Sequence, residues 1–298
     1  MSSLASRAGP TSRLSGLLLA CLAATWLVWG STYLAIKFAL LSLPPFFQMG
    51  TRFLFAGVLL MAWMRWRGAP WPNTRQWRNA VIVGALMLGG GMGGTAWAEQ
   101  TVGSGLVVAF IAVVPLVIAA LNRLYGVKPA RLELAGIVVG LAGVLLLTQG
   151  AGFQASHAGL VAIALACLTW SAGSVLSLRS LPLAPGASGF ASEMICGGGV
   201  LLAMSALAGE APQWPPQPAA VAAWFYLVVF GSLIAFNAYM VLLSRASAGL
   251  ASSYTFVNPV IAMLLGVAVA GEVITPFEWT AAGVVLVGVV LMLRSKPA

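Results

Sequence analysis

Ten long runs of apolar residues, separated by short polar breaks, account for almost the whole chain. They fall near residues 15–36, 45–64, 78–98, 102–121, 132–148, 158–178, 187–208, 220–243, 248–269 and 278–293. A helix that crosses a bilayer needs roughly 20 mostly apolar residues, and each run comes close to that length. The pattern predicts an all-α integral membrane protein with ten transmembrane helices. The connections leave no room for a separate soluble domain, so residues 1–298 are expected to form a single membrane domain. The first run follows a polar segment, Met1 to Ser15, and contains LLAC at Leu18 to Cys21, a lipobox-like signal. Few apolar residues precede Cys21, fewer than the roughly 7–15 of a signal core, and the run continues to Ile36. It reads as a first span, not a cleaved leader.

The runs repeat. Ser104 to Leu121, SGLVVAFIAVVPLVIAAL, returns 144 positions later as Ala248 to Leu265, AGLASSYTFVNPVIAMLL. Gly105 falls on Gly249, Leu106 on Leu250 and Pro115 on Pro259. A proline at mid-span removes a backbone hydrogen bond and bends a helix, and in lipid the freed carbonyl must be satisfied by a neighbour or a water-lined cavity. Pro115 and Pro259 are therefore hinge candidates in two equivalent cavity walls; inherited kinks without a present role are the plain alternative. The first copy spans 15–148 (helices 1–5) and the second 158–293 (helices 6–10).

Charge gives the copies a direction. Arg65, Arg67, Arg75, Arg78, Arg123, Lys128, Arg131, Arg179 and Arg245 lie in alternate connections, and Arg7, Arg13, Arg294 and Lys296 at the two ends. Lys37 alone marks the opposite side, and Arg52 lies within a span. The positive-inside rule then puts both termini in the cytoplasm. A unit of five spans is odd, so its second copy enters from the opposite face and the halves are inverted. The loops agree. The Arg-rich connection between spans 2 and 3 answers one with Glu210 and no cation, and the basic KPAR at Lys128 answers the acidic GEVITPFE at Gly271. Inverted repeats of short-looped helices are the sequence signature of secondary transporters, with a substrate site near midplane.

Composition excludes much else. Hydrophobic residues make up 60% and charged residues 7%, against about 25% charged in soluble domains. The net charge of +9 is spread over interhelical loops, without the basic run or aromatic platform of a nucleic-acid binder. Asp is absent and His157 is the single histidine, so neither HExxH nor a serine triad with GxSxG can be assembled. Cys21, Cys167 and Cys196 sit in apolar runs and suggest neither disulfides nor a metal site. GGGMGG at Gly89 to Gly94 matches GxGxxG in spacing but lies within a span with no strand before it; close helix packing or a flexible hinge is the better account. GxxxxGK[ST] is missing, which argues against ATP hydrolysis. No cofactor or metal is expected.

Eleven tryptophans sort by depth. Trp63, Trp66, Trp71 and Trp77 fall at the cytoplasmic ends, and Trp97, Trp214, Trp224 and Trp279 at the outer ends, as interfacial belts. Trp26, Trp29 and Trp170 lie deep in spans 1 and 6, where an indole N–H needs a partner; they are candidates for lining a cavity, with helix packing as the alternative. Glu193 lies inside span 7, where a charge is costly and marks either a proton or substrate-amine site or a structural ion pair or snorkelling group. Gln48 lies at a similar depth of span 2, with Arg52 one turn on. Tyr254 and Asn258 share a face before Pro259. Asn237 and Tyr239 on span 8 point to nearly opposite sides, so at most one faces a central cavity. Tyr33 completes the candidate set.

With WGSTYLAIK at Trp29 to Lys37, PPFFQMGTRF at Pro44 to Phe53, the paired prolines, and RASAGLASSYTFVNPVIAMLLGVAVAGE from Arg245 to Glu272, the chain resembles the EamA-type transporters of the drug/metabolite transporter superfamily. Within that group it looks closest to the YddG-type amino-acid exporters. The resemblance implies a basket of two inverted five-helix repeats, with helices 5 and 10 outside the substrate path, and export of a metabolite. Trp170 can be matched with Trp26 at the 144 spacing or with Trp29 by the family pattern. The expected function is a secondary transporter in the cell's inner membrane, exporting amino acids, aromatic or neutral ones among them, or similar small metabolites by alternating access. Its expected partners are a small-molecule substrate, the lipid bilayer and protons as a candidate coupling ion, with no nucleic acid and no obligate protein partner evident. Multidrug efflux and ion-coupled uptake are the alternatives within transport; a membrane enzyme or a non-transporting scaffold is the alternative from another class.

Overall fold

The computed structural model describes residues 15–102, 104–149, 155–270 and 275–295. Arg7, Arg13, Gly271, Glu272 and Lys296 lie outside the described residues, as do the side chains of Tyr33 and Lys37. Ten helices follow one another: α1 Gly16–Ala39, α2 Pro45–Trp66, α3 Thr74–Ala98, α4 Ser104–Leu124, α5 Arg131–Leu147, α6 His157–Arg179, α7 Ala187–Leu207, α8 Pro218–Arg245, α9 Ala248–Ala270 and α10 Pro276–Arg294. Eight are long and apolar enough to cross a bilayer by length and composition, while the apolar part of α4 and the whole of α5 are shorter. The ten spans expected from hydropathy correspond to these helices one for one.

Local chemistry sets their ends. Serines N-cap α1 and α6: Ser15 Oγ accepts from the Leu18 N–H and Ser156 Oγ from the Gly159 N–H, each satisfying one of the orphan donors of a first turn. Asn73 with Gln76, and Thr275 with Glu278, form capping boxes at α3 and α10. The α2 N-terminus starts on Pro45 and is capped from a distance. Glu210, in the α7–α8 connection, accepts the Phe46 and Phe47 N–H groups at 3.1 and 2.8 Å, one on each oxygen. That acid, expected only as a mark of the outer side, also ties the two halves together.

The halves are inverted, and packing makes this visible. Gly50 of α2 lies against Leu202 of α7 and Gly57 against Ile195, so one numbering rises as the other falls and the two equivalent helices run antiparallel. The equivalent pair α5 and α10 does the same, Gly136 meeting Met292 and Gly143 meeting Val285. At the α5–α10 crossing, a Cβ added to Gly288 would come 2.5 Å from the Gly140 backbone nitrogen; only a bare backbone permits that approach, which is how membrane helices gain dispersion contact where lipid offers no hydrophobic drive. The remaining contacts exchange between halves: α1 packs on α8 and α9, and α6 on α3 and α4. A pseudo-two-fold relating helices 1–5 to 6–10 demands that exchange.

Three helices carry wider π turns, over Ala24–Val28 in α1, Ala85–Gly93 in α3 and Leu227–Phe236 in α8. In α3 the stretch covers most of the glycine run. Gly90 and Gly91 lie against Thr169 and Trp170 of α6, so the GGGMGG motif serves close packing, one of its two expected roles.

Candidate functional site

One cavity lies inside the bundle and a second at helix ends. The first, about 100 Å³, is walled by α1, α2, α3, α4, α6 and α9, and reaches from Trp29, Trp170, Tyr254 and Asn258 toward Ile36 and Glu99. The second, about 400 Å³, lies at the ends of α4, α6 and α8 and the start of α9, with Asn122, Lys128, Glu133, Arg179 and Arg245 on its wall. Between them sits an aromatic cluster. Trp29 meets Tyr254 edge-on at 4.6 Å between ring centroids, Trp170 at 6.0 Å and Tyr239 at 5.4 Å; Tyr239 also meets Trp170 at 5.2 Å and Tyr254 at 5.6 Å. Such offset and edge-on pairs are the favoured ring geometries.

The polar atoms of this layer are held by the backbone around them. Trp29 Nε1–H donates to the Gly231 carbonyl at 3.3 Å, within the π stretch of α8. The hydroxyls of Tyr239 and Ser174 are 2.9 Å apart, fully buried. Thr32 and Thr95 turn their hydroxyls back onto the carbonyls of Trp29 and Gly91, a local bond that removes them as free donors. The first cavity is thus chiefly aromatic and apolar, with its polar functions gathered at Asn258 and Glu99. Asn258 has its amide oriented so that the nitrogen donates to the carbonyls of Tyr254 at 3.1 Å and Trp26 at 3.2 Å.

The sequence candidates divide accordingly. Trp29, Trp170, Tyr254 and Asn258 line the first cavity, and Tyr239 completes the cluster behind it. Trp26 lies off the cavity and donates to Ser253 Oγ at 2.9 Å, bracing the break in α9. Asn237 turns away from the cluster; its amide nitrogen donates to the Ser232 and Leu233 carbonyls at 3.3 and 2.8 Å, within the π stretch of its own helix. Gln48 and Glu193 are wholly buried away from both cavities, and neither their side-chain oxygens nor the Gln48 nitrogen has a hydrogen-bond partner. Arg52 is buried on the same face of α2, one amine group 3.5 Å from Met92 Sδ and its carbon 4.5 Å from the Phe53 ring centre.

The prolines differ from one another. α4 is interrupted at Ala112–Val113, so Pro115 stands in the first turn of the segment Val114–Leu124, where a missing N–H costs nothing. α9 is interrupted at Ser252–Ser253, and Pro259 lies inside the following segment. Each helix is thus broken ahead of its proline, directly before Pro115 and six residues or more before Pro259.

The helix starts bear on the register of the two deep tryptophans. Trp29 and Trp170 are each the fourteenth residue after the N-cap serine of their helix and their rings meet at 6.0 Å, which favours matching Trp170 with Trp29 over Trp26. Sequence reasoning missed Met49, Met92, Thr95, Glu99 and Cys167 on the first cavity and Glu133 on the second. α5 supplies Glu133 to the wall of the second cavity. Apolar and small residues carry no signal of their own, and Glu133 resembles an ordinary first-turn acid.

Two inverted five-helix halves around an internal cavity are the arrangement typical of membrane transporters. The comparisons carry this to a family. The model of the EamA-like transporter family matches residues 14–149 and 157–294, and the chain belongs to that family. It is 40% identical over 280 residues to the uncharacterized inner membrane transporter YedA of Escherichia coli, covering 94% of this chain and 91% of that one. It is 28% identical to an uncharacterized transporter of Synechocystis, covering 91% and 88%, and 28% identical to the protein PecM of Dickeya dadantii, covering 80% of each. A crystal structure with 22% sequence identity superposes with a TM-score of 0.77 over 93% of this chain and 97% of the other, which shows the shared fold.

Proposed function

We propose that this transporter exports amino acids, neutral and aromatic ones foremost, or similar small amphiphilic metabolites. One observation carries the reading: the first cavity joins three aromatic rings, Trp29, Trp170 and Tyr254, to one amide, Asn258, with no lysine or arginine among its described lining residues. Aromatic faces accept an apolar or aromatic side chain and attract an ammonium group, and the Asn258 amide oxygen, its nitrogen engaged by the Tyr254 and Trp26 carbonyls, can accept from that ammonium. The two cavities on opposite sides of the cluster support alternating access, each opening as the other closes. The chain acts as a carrier and not as an enzyme or a scaffold, in the inner membrane with both termini in the cytoplasm. Glu193, buried off both cavities with neither oxygen bonded, is the group through which protons couple once movement of the halves brings it to water.

Counterflow in liposomes tests the transport reading. Protein loaded with unlabelled tryptophan or leucine inside is expected to accumulate the labelled amino acid; no exchange with any amino acid sinks the substrate class. Exchange of ethidium in its place favours multidrug efflux, the reading an aromatic wall also suits. Proton coupling is tested by an imposed pH gradient: Glu193→Gln should keep exchange yet lose gradient-driven flux. Orientation is tested at Trp214, which is 84% exposed. A Trp214→Cys variant should react with an impermeant maleimide on intact cells, and reaction only after permeabilisation would invert the topology.

A further inference from the structure

The second cavity is unlike the first in its charge. Its cations converge from three separate elements: Lys128 in the α4–α5 connection, Arg179 at the end of α6 and Arg245 at the end of α8. One acid stands among its described lining residues, Glu133. That carboxylate is already engaged, because its Oε1 accepts the Gly249 N–H at 2.6 Å. The approach depends on the glycine, since a Cβ there would come 2.7 Å from the same oxygen. Arg179 is oriented into the group by donating to Asn122 Oδ1 at 3.4 Å.

Two general effects put cations at this end of the molecule: the positive-inside bias and the attraction of basic groups to helix C-termini. Arg65, Arg67 and Arg123 meet both and Arg75 and Arg78 the first alone, and none of the five lines the cavity. Neither effect requires three cations from three elements to share one volume of about 400 Å³. Lining one cavity against a single acid, they raise the local concentration of anions, and guanidinium groups match carboxylate and phosphate oxygens bidentately.

We infer that this cavity is an anion-binding site, separate from the aromatic cavity, for a small ligand bearing carboxylate or phosphate oxygens. It stands on charge and geometry and does not require the exporter reading. A free metabolite and a phospholipid headgroup both present such oxygens, and the test separates them.

Ser244 lines the cavity and its hydroxyl bonds only back to the Val241 carbonyl, so Ser244→Cys is a reporter that disturbs little. It is placed in the full chain with Cys21, Cys167 and Cys196 changed to Ala. The labelling rate by a neutral maleimide is measured in phosphatidylcholine nanodiscs with succinate or inorganic phosphate, ionic strength being held with sodium chloride. Each anion should slow labelling severalfold. Arg179→Gln and Arg245→Gln should each raise the half-protecting concentration about tenfold, and Arg245→Lys should recover most of it; thermal melts establish that each variant is folded. Protection by phosphatidylglycerol nanodiscs without soluble anion identifies a headgroup as occupant, and protection by soluble anions alone identifies a metabolite. Labelling indifferent to succinate, phosphate and phosphatidylglycerol overturns the site, as does equal protection in parent and both glutamine variants.

Discussion

Trp29 and Trp170 face each other edge-on across the pseudo-two-fold, ring centroids 6.0 Å apart, each from the same position of the first helix of its half. They are equivalent in sequence but not in bonding. The Trp29 N–H is held by the Gly231 carbonyl, whereas Trp170 Nε1 has no partner meeting hydrogen-bond geometry. The rings of Trp170 and Tyr239 do lie close, at 5.2 Å, so the indole shares its surroundings with a phenol without a well-formed bond to it.

That asymmetry predicts different costs. Trp29→Phe removes a buried hydrogen bond and should lower stability by about 1 kcal/mol, while Trp170→Phe should cost less. Both should slow amino-acid counterflow by roughly tenfold, because a ring face is lost from the cavity wall. Thermal melts and counterflow on the same preparations check this; activity and stability falling strictly together would make both residues packing elements.

The Tyr239–Ser174 bond lies between the cavities, and α6 and α8 meet there. Tyr239→Phe and Ser174→Ala should each weaken that partition by about 1 kcal/mol, a roughly fivefold shift in the balance between the two facing states. The readout is maleimide accessibility of a Ser244→Cys reporter. An unchanged rate in both variants would remove the bond from the gating step.

Glu210 caps α2 with both oxygens and is half-buried. Glu210→Ala should cost about 1–3 kcal/mol, since two helix-terminal donors lose a charged acceptor. Glu210→Gln, which can still accept one bond, should cost less. Counterflow at low temperature should survive in both; a melting temperature unchanged in Glu210→Ala would contradict the cap.

For the prolines, position decides. Pro115→Ala changes a first-turn residue and should leave melting temperature and transport nearly unchanged. Pro259→Ala restores an interior donor worth up to about 3 kcal/mol of helix stability, and should stiffen α9 below its break and slow exchange severalfold. Equal effects of the two substitutions would return them to the status of symmetric hinges.

Hydrophobic run length and the odd five-helix repeat determined the membrane class, the ten helices and the inverted halves. These follow from one-dimensional facts, because the bilayer imposes a fixed span on every element and backbone polar groups must be satisfied within it. Depth along the chain also picked out Trp29 and Trp170, together with Trp26, which lies off the cavity, and a shared helix face before Pro259 picked out Tyr254 and Asn258. What lies around a helix, unlike what lies along it, was left to tertiary packing. Asn237 and Glu193 resemble ligand-binding residues in a list of polar positions, yet Asn237 turns onto its own π-stretch carbonyls and Glu193 is buried off both cavities. The convergence of Lys128, Arg179 and Arg245 on one volume, with Glu133 tied to Gly249, joins residues more than a hundred positions apart. A periodicity of 3.6 fixes which residues share a helix face, but only the packing of ten helices decides which face meets a cavity, which meets a neighbour and which meets lipid.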